Sequence, residues 1–361
     1  MARVIAAYFF NSYTFPDSQA YFDAGQRLFN IGQLHNPKVM PIYPIISYIS
    51  NTLFQSNLID LLFSAGSVYL VYELAQQLFS DRKTAILSSS IFAFYPFSIF
   101  YANSGLTESS FVFTMLLAFV LLYKRQLWLA SICLVLSVLI RPSLDYLNPV
   151  LIIVFSVLIY KESWIKNLGK YILIYVLLLL PWWIYNYNVY DQFVRLNLGA
   201  GEMIYGGNNP NNLSGRANED SLDFTAYKDM PLVKRDKALK HDAFNYIMEN
   251  KKEFIFKSFK RFVYFWNIFP NHKNYRSGPL MLISAISMLL LYIGSIAFVF
   301  LSDRKTLIYC LPIVLVFIYL TMIHSVTIAS IRYRFPLEAF MIIFLSYTLV
   351  KVFFSSKQVH Q

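Results

Sequence analysis

Two acids and three arginines stand out as residues that could do chemistry, because each borders or interrupts an apolar run. Asp17 lies in "FPDSQAYFDAGQRLF" directly after Pro16, and Glu108 lies in "NSGLTESSFVF" at the head of an apolar stretch. Arg141 ends another such stretch in "SVLIRPSLDY", and Arg332 and Arg334 stand two apart in "IASIRYRFPLEAF". A carboxylate within hydrogen-bond reach of a hydroxyl can act as a general base, typically contributing ~10²–10⁴-fold. Arginine stays charged at every relevant pH and grips phosphate bidentately. Together these are the components of a transfer from a phosphate leaving group to a hydroxyl. Each also has a plainer reading. Asp17 suits a solvated loop, Glu108 suits a helix start favoured by the dipole, and the arginines suit anchors to lipid headgroups. Asp23, between Phe22 and Ala24, reads as a solvated helix residue. The turn-rich stretch "YGGNNPNNLSG" places Asn208 and Asn209 in a candidate substrate loop, and it lacks the Lys-Ser/Thr ending of a phosphate-binding P-loop.

The elements that must position these groups are apolar helices. Of 361 residues, 57% are hydrophobic and only 14% charged. Mean hydropathy is +0.47. A soluble domain carries roughly 25% charged residues, so an all-α polytopic membrane protein is the expected class. Apolar runs fall at 58–79, 84–103, 106–123, 127–141, 146–160, 170–184, 279–301, 306–323 and 337–354. They predict a bundle of about nine or ten transmembrane helices. The opening "ARVIAAYFF" reads as the tail of a further helix, truncated at its start.

Charge gives an orientation. The connections "SDRK" at 80–83, "KR" at 124–125, "KESWIKNLGK" at 161–170 and "SDRK" at 302–305 are basic, as is the tail with Lys351 and Lys357. Alternating spans put all of them on one side, which the positive-inside rule makes cytoplasmic. Topology-setting basic residues then account for the net charge of +11, and nucleic acid is not an expected partner. The expected organisation is 1–184 with a first outer loop at 14–57, an external loop at 185–278, and a helical end at 279–361. Within the external loop, "KKEFIFKSFKRFVYFWN" carries Phe254, Ser258, Phe259, Phe262, Val263 and Trp266 at helical spacing. It predicts an amphipathic helix over 251–266, flat on the membrane with its lysines opposite the phenylalanines. Asp17, following the Pro16 turn, is expected to cap or open a helix with Ser18. Cys133 and Cys310 lie in apolar runs and read as core or lipid-facing residues.

Five stretches in order, "PDSQAYFDAGQRLFNIGQL", "YPFSIFYANSGLTESSF", "IRPS", "PWWIYNY…GNNP" and "RYRFPLEAF", resemble bacterial GT-C-fold glycosyltransferases. These are relatives of the protein O-mannosyltransferases and the lipid A aminoarabinose transferase. The resemblance spans nearly the whole chain. It implies a GT-C-like bundle that moves a sugar from a polyprenyl-phosphate donor to an acceptor at the outer face of a bacterial plasma membrane. It further implies Asp17 as catalytic base, Glu108 as the second acid, and Arg332 and Arg334 at the donor phosphate. Arg141, beside "IRPS", joins that set. Where the family commonly has Arg-Asn after the tryptophan-rich helix end, this chain has Tyr185 and Asn186.

The partners expected are the lipid-linked donor, membrane lipid and an acceptor of unassigned identity. No cofactor is expected, and two carboxylates are too few ligands to predict a metal, although a divalent ion is compatible. Two other functions fit the same composition. A polysaccharide polymerase or ligase would join lipid-linked oligosaccharides with arginines and without an aspartate base. A flippase or transporter would need a continuous polar path across the membrane. Rossmann and Walker fingerprints are absent from the sequence.

Overall fold

The computed structural model describes residues 15–34, 36–212, 224–270 and 278–354. The opening run at 1–14 and Lys357 lie outside these residues. Among the described residues every regular element is helical. In chain order they are α1 (Pro16–Ile31), α2 (Ile42–Phe54), α3 (Leu58–Phe79), α4 (Arg82–Phe94), α5 (Pro96–Ala102), α6 (Glu108–Tyr123), α7 (Leu127–Ile140), α8 (Leu147–Val154), α9 (Trp164–Tyr190), α10 (Ala200–Gly207), α11 (Leu232–Glu249), α12 (Lys251–Phe265), α13 (Pro279–Leu301), α14 (Arg304–Tyr309), α15 (Leu311–Val326) and α16 (Ile331–Phe354).

Four of these, α3, α9, α13 and α16, are long and apolar enough to cross a bilayer, and α4 with α5 would make a fifth as one bent span. Shorter apolar helices, α6, α7, α8 with its extension, and α15, complete the bundle. Side chains such as Leu173, Leu177 and Leu180 on α9, and Leu282, Ile286, Ile293 and Phe300 on α13, are exposed in continuous apolar stripes. Water would not tolerate such patches, so the chain is an integral membrane protein.

Several apolar runs are not single straight helices, and the breaks have local causes. The run 84–103 bends by 55° between α4 and α5. Tyr95 is extended there (φ −65°, ψ 122°) because Pro96 follows it. The run 306–323 divides at Cys310 into α14 and α15, with a proline opening the second piece. The run 146–160 ends in a π-helical turn over Phe155–Tyr160. Two helices are longer than the apolar count suggests. At ~1.5 Å rise, the 27 residues of α9 reach roughly 40 Å. Helix α16 begins at Ile331, six positions before the run it carries, with Pro336 inside it.

Helix α16 is the centre of the bundle. Two thirds of its most apolar window (67%) is buried, against 22% for α9 and 33% for α13. It packs along α13 and α4. At Gly294 a Cβ would lie 2.4 Å from Leu345 Cδ1, and Thr348 Oγ1 donates to the Gly294 carbonyl at 2.9 Å. The helix axes approach that closely only with no side chain at 294.

The basic connections share one end of the bundle. Lys124 pairs with Glu73 at 2.7 Å, Arg125 donates to the carbonyls of Ile159 and Tyr160, Tyr123 donates to the Tyr309 carbonyl, and Lys83 lies over the Phe354 ring. The start of α1, the start of α6, the end of α7 and the start of α16 meet at the opposite end.

The segment after α9 folds back on it. Asn186 donates to the carbonyls of Val194 and Leu196, Trp182 and Trp183 donate to those of Leu196 and Arg195, and the Tyr185 hydroxyl accepts from Leu34 N. Tyr185 and Asn186 thus have structural partners. Helix α12 is amphipathic with its phenylalanine face outward, as expected, but part of its basic face is covered by protein instead of water. Ile255, Phe256, Phe259, Phe262 and Val263 are exposed, whereas Lys257, Arg261 and Phe265 are buried. The reason is a set of backbone carbonyls beneath the helix. Arg261 donates to the carbonyls of Ser325 and Gly207, both at 2.6 Å, and to Asn208 Oδ1 at 3.0 Å. Lys257 reaches the Tyr246 hydroxyl at 3.1 Å and Glu253 at 2.8 Å.

Candidate active site

Helix α1 opens at Pro16 with Phe15 extended at its N-cap (φ −121°, ψ 141°) and no side-chain cap. Neither Asp17 nor Ser18 caps it. The Ser18 hydroxyl instead donates to the Ser104 carbonyl at 2.6 Å, tying α1 to the loop that precedes α6. That loop turns at Gly105, whose φ of +62° is a left-handed value that suits glycine. Asn57 braces it by donating to the Asn103 carbonyl at 3.2 Å. The turn presents Glu108 as the first residue of α6, beside the start of α1. Neither Ser104 nor Thr107 caps α6: the Ser104 hydroxyl donates to Tyr101, and Thr107 makes no cap bond.

Arg332 joins the two acids. Its Nη1 donates to Asp17 Oδ2 at 2.5 Å, and its Nε makes a short hydrogen bond to Glu108 Oε1. Arg141 Nη1 reaches the same Glu108 oxygen at 3.2 Å. Arg141 is the extended C-cap of α7 (φ −153°), a conformation suited to the residue before Pro142. Its guanidinium lies over Tyr333 at 4.6 Å and Phe111 at 5.8 Å, so the ring faces hold it. The Glu108 side chain is fully buried (0%), Arg141 and Arg332 are nearly so (12% and 18%), and Asp17 is open to solvent (58%). Two carboxylates and two guanidiniums balance formally to zero. Glu108 Oε2 is buried and has no hydrogen-bond partner among the described residues. Such an atom costs about 1–3 kcal/mol if nothing meets it.

The other sequence candidates lie elsewhere. Arg334 is fully buried and pairs with Glu338 at 3.0 Å, one turn along its own helix. It also donates to the carbonyls of Phe265 (3.0 Å) and Asn267 (2.7 Å), and Tyr95 donates to Glu338 at 2.8 Å. Arg334 therefore clasps the end of α12 to the central helix and does not line the cluster. Asn208 and Asn209 are buried and committed to backbone. Asn208 Nδ2 donates to the carbonyls of Ile204 and Val326, and Asn209 donates to Tyr205 while its Oδ1 accepts from the amides of Asn211 and Asn212. They shape the turn. Asp23 is exposed and accepts from Gln19 Nε2 at 2.8 Å.

Sequence reasoning missed three neighbours. Tyr21, one turn beyond Asp17, packs edge-on against Tyr43 at 4.9 Å. Burial, partly offset by Arg332, pushes its phenol up. Tyr43 donates at 2.8 Å to Asp60, which is buried inside α3. The signal for Asp60 was present, since it is an acid within an apolar run. A second cluster joins Asp145 to Arg195 at 2.7 Å and to the Tyr175 hydroxyl at 2.7 Å. Arg195 lies on the segment folded against α9, so a cation stands near the tryptophan-rich helix end even though Tyr185 holds the position before Asn186. Among the described residues no group of three or more His, Cys, Asp or Glu could hold a metal ion. Comparison with protein-family models, curated proteins and solved structures finds no match to the chain.

Proposed function

We propose that the chain is a GT-C-type glycosyltransferase that moves a sugar from a polyprenyl-phosphate donor to an acceptor hydroxyl at the outer face of a bacterial plasma membrane. One observation carries the reading: Asp17, Glu108, Arg332 and Arg141 gather at the end of the bundle opposite the basic connections. By the positive-inside rule that end faces outward.

In this reading the acceptor oxygen attacks the anomeric carbon as the bond from that carbon to the phosphate oxygen breaks. The electron pair leaves on the polyprenyl phosphate, which gains a negative charge. Arg332 and Arg141 stabilise that charge. Asp17, the exposed acid, takes the acceptor's proton. Buried Glu108 holds both guanidiniums through one oxygen and leaves the other for a substrate hydroxyl. Arg332 is bonded to Asp17 in the resting site. An arriving phosphate competes for that guanidinium and frees the carboxylate. The acids and arginines share one cluster, which favours this reading over a polymerase that relies on arginines alone. Arg334, Asn208 and Asn209 have no part in it.

The test is transfer of labelled sugar from a polyprenyl-phosphate donor in membranes carrying the protein. Sugar transfer that Asp17→Asn and Arg332→Gln each abolish supports the proposal. Transfer indifferent to both overturns it.

A further inference from the structure

At the basic end of the bundle, away from the acid–arginine cluster, a cavity of about 410 Å³ opens among Arg125, Trp128, Tyr160, Glu162, Asn167 and Lys170. We propose that it is a headgroup site for an anionic phospholipid.

Four observations converge. First, the cavity is cationic: two bases against one acid leave a net charge of +1 on its lining. Neither base has a carboxylate partner among the described residues. Arg125 is held by the carbonyls of Ile159 (3.1 Å) and Tyr160 (3.0 Å), with its guanidinium over the Tyr160 ring. Lys170 meets Asn167 Oδ1 at 3.4 Å and the face of Trp128. The acid, Glu162, is occupied by Asn167 Nδ2 at 3.2 Å.

Second, the site is built. Asn167 is buried (2%) and its amide is fixed by Ser156 Oγ at 3.1 Å, so its carbonyl is aimed at Lys170. Arg125 sits in the left-handed region (φ 58°), which returns its side chain onto the π-helical turn of Phe155–Tyr160.

Third, the rim is apolar and outward. Trp128 and Leu129 are about half exposed (49% and 52%), and Trp164 and Ile165 are exposed nearby. Tryptophan with an adjacent cation is the side-chain pairing of the membrane boundary. Acyl chains can therefore run down the bundle while the phosphate stays at Arg125 and Lys170.

Fourth, charge separates this cavity from its neighbour at the same end. That one, of about 530 Å³, sets Asp81 and Asp303 against Lys83 and Lys351 and carries no net charge. Basic pockets between membrane helices at the positively charged end are where anionic headgroups dock. The inference does not depend on the transferase reading.

The experiment is native mass spectrometry of the full chain in detergent, titrated with phosphatidylglycerol or with phosphatidylcholine of the same acyl chains. A basic residue near anionic lipid is worth ~1 kcal/mol, about fivefold in affinity. Phosphatidylglycerol is expected to bind at least about fivefold more tightly than phosphatidylcholine. Lys170→Gln should lose about fivefold of that preference and Lys170→Arg should keep it. Lys124→Gln, which breaks the pair with Glu73 outside the cavity, should leave the preference unchanged. Equal binding of the two lipids overturns the proposal, as does a wild-type preference in Lys170→Gln. So does glycerophosphoglycerol, the headgroup without acyl chains, binding as tightly as the lipid, which would assign the cavity to a soluble phosphate. Unchanged thermal unfolding of Lys170→Gln separates a lost ligand from a lost fold.

Discussion

Arg332 and Arg334 stand two residues apart on α16, yet their guanidiniums serve different sets of partners. Arg332 bridges Asp17 and Glu108, whereas Arg334 closes on Glu338 and the carbonyls at the end of α12. Two residues on an α-helix are separated by about 200°, so a pair that reads as one cationic feature in sequence faces two ways once helical.

The two arginines should therefore fail differently. Arg332→Gln is expected to lower sugar transfer by about 10²-fold or more, as for loss of a charge-stabilising donor, while its stability cost is limited because Arg141 still meets buried Glu108. Arg334→Gln breaks a buried pair and should cost about 3–5 kcal/mol of stability. The protein that remains folded should turn over within about threefold of wild type. A stable but inactive Arg334→Gln would return Arg334 to the phosphate site.

Asp17→Asn keeps shape and removes proton acceptance. Turnover should fall by roughly 10²-fold or more, with donor binding unweakened or tighter, because the carboxylate that competes with phosphate for Arg332 is gone. Among the described residues Asp23 makes only an exposed bond to Gln19, so Asp23→Asn should be near neutral. The comparison is a pair of saturation curves in the labelled-sugar assay, and the reverse pattern would transfer the base to Asp23.

Arg261 carries a buried positive charge satisfied by backbone carbonyls and Asn208, and burial pushes its guanidinium down to about 10. Its folded value lies below the unfolded one, so the cost of burial is fully present at neutral pH. The cost shrinks as pH rises through about 10. Arg261→Met removes that cost but strands acceptors worth about 1–3 kcal/mol each. A net loss of stability and faster hydrogen exchange over residues 204–209 are expected. Undisturbed exchange there would mean that the α10 turn stands without Arg261.

The two "SDRK" turns should prove structurally equivalent. Asp81 accepts from the amides of Lys83 and Thr84, and Asp303 from that of Thr306. Replacing Asp81 by Ala should cost about 0.5–2 kcal/mol, and replacing it by Asn much less; Asp303→Ala should destabilise in the same direction. The hydrogen bond from Thr306 holds the Asp303 carboxyl below its ordinary value. Its contribution is thus complete above about pH 4 and lost as pH falls through the lower folded value. A melting temperature of Asp303→Ala that converges on wild type in acid, but not at neutral pH, is the expected pattern. A constant gap would exclude the charged cap.

The sequence alone determined what the chain can be made of. Apolar runs with few charges dictate helices in lipid, because a bilayer leaves backbone groups no other partner. The alternation of basic turns sorted the two ends of the bundle, and the ends are where they were sorted. Glu108 and Arg141 were legible as site candidates because each is a charge at the margin of an apolar run. Tertiary structure decided the rest. It split 84–103 at Tyr95 and 306–323 at Cys310, where a nearby proline ends helical backbone that hydropathy treats as continuous. It buried Lys257 and Arg261, because carbonyls from Ser325, Gly207 and Asn209, remote in sequence, line the groove under α12. It turned Asn208 and Asn209 inward for the same reason. Partners that belong to another element have no local signature, so Arg332 meeting Asp17, 315 residues away, is a fact of packing alone.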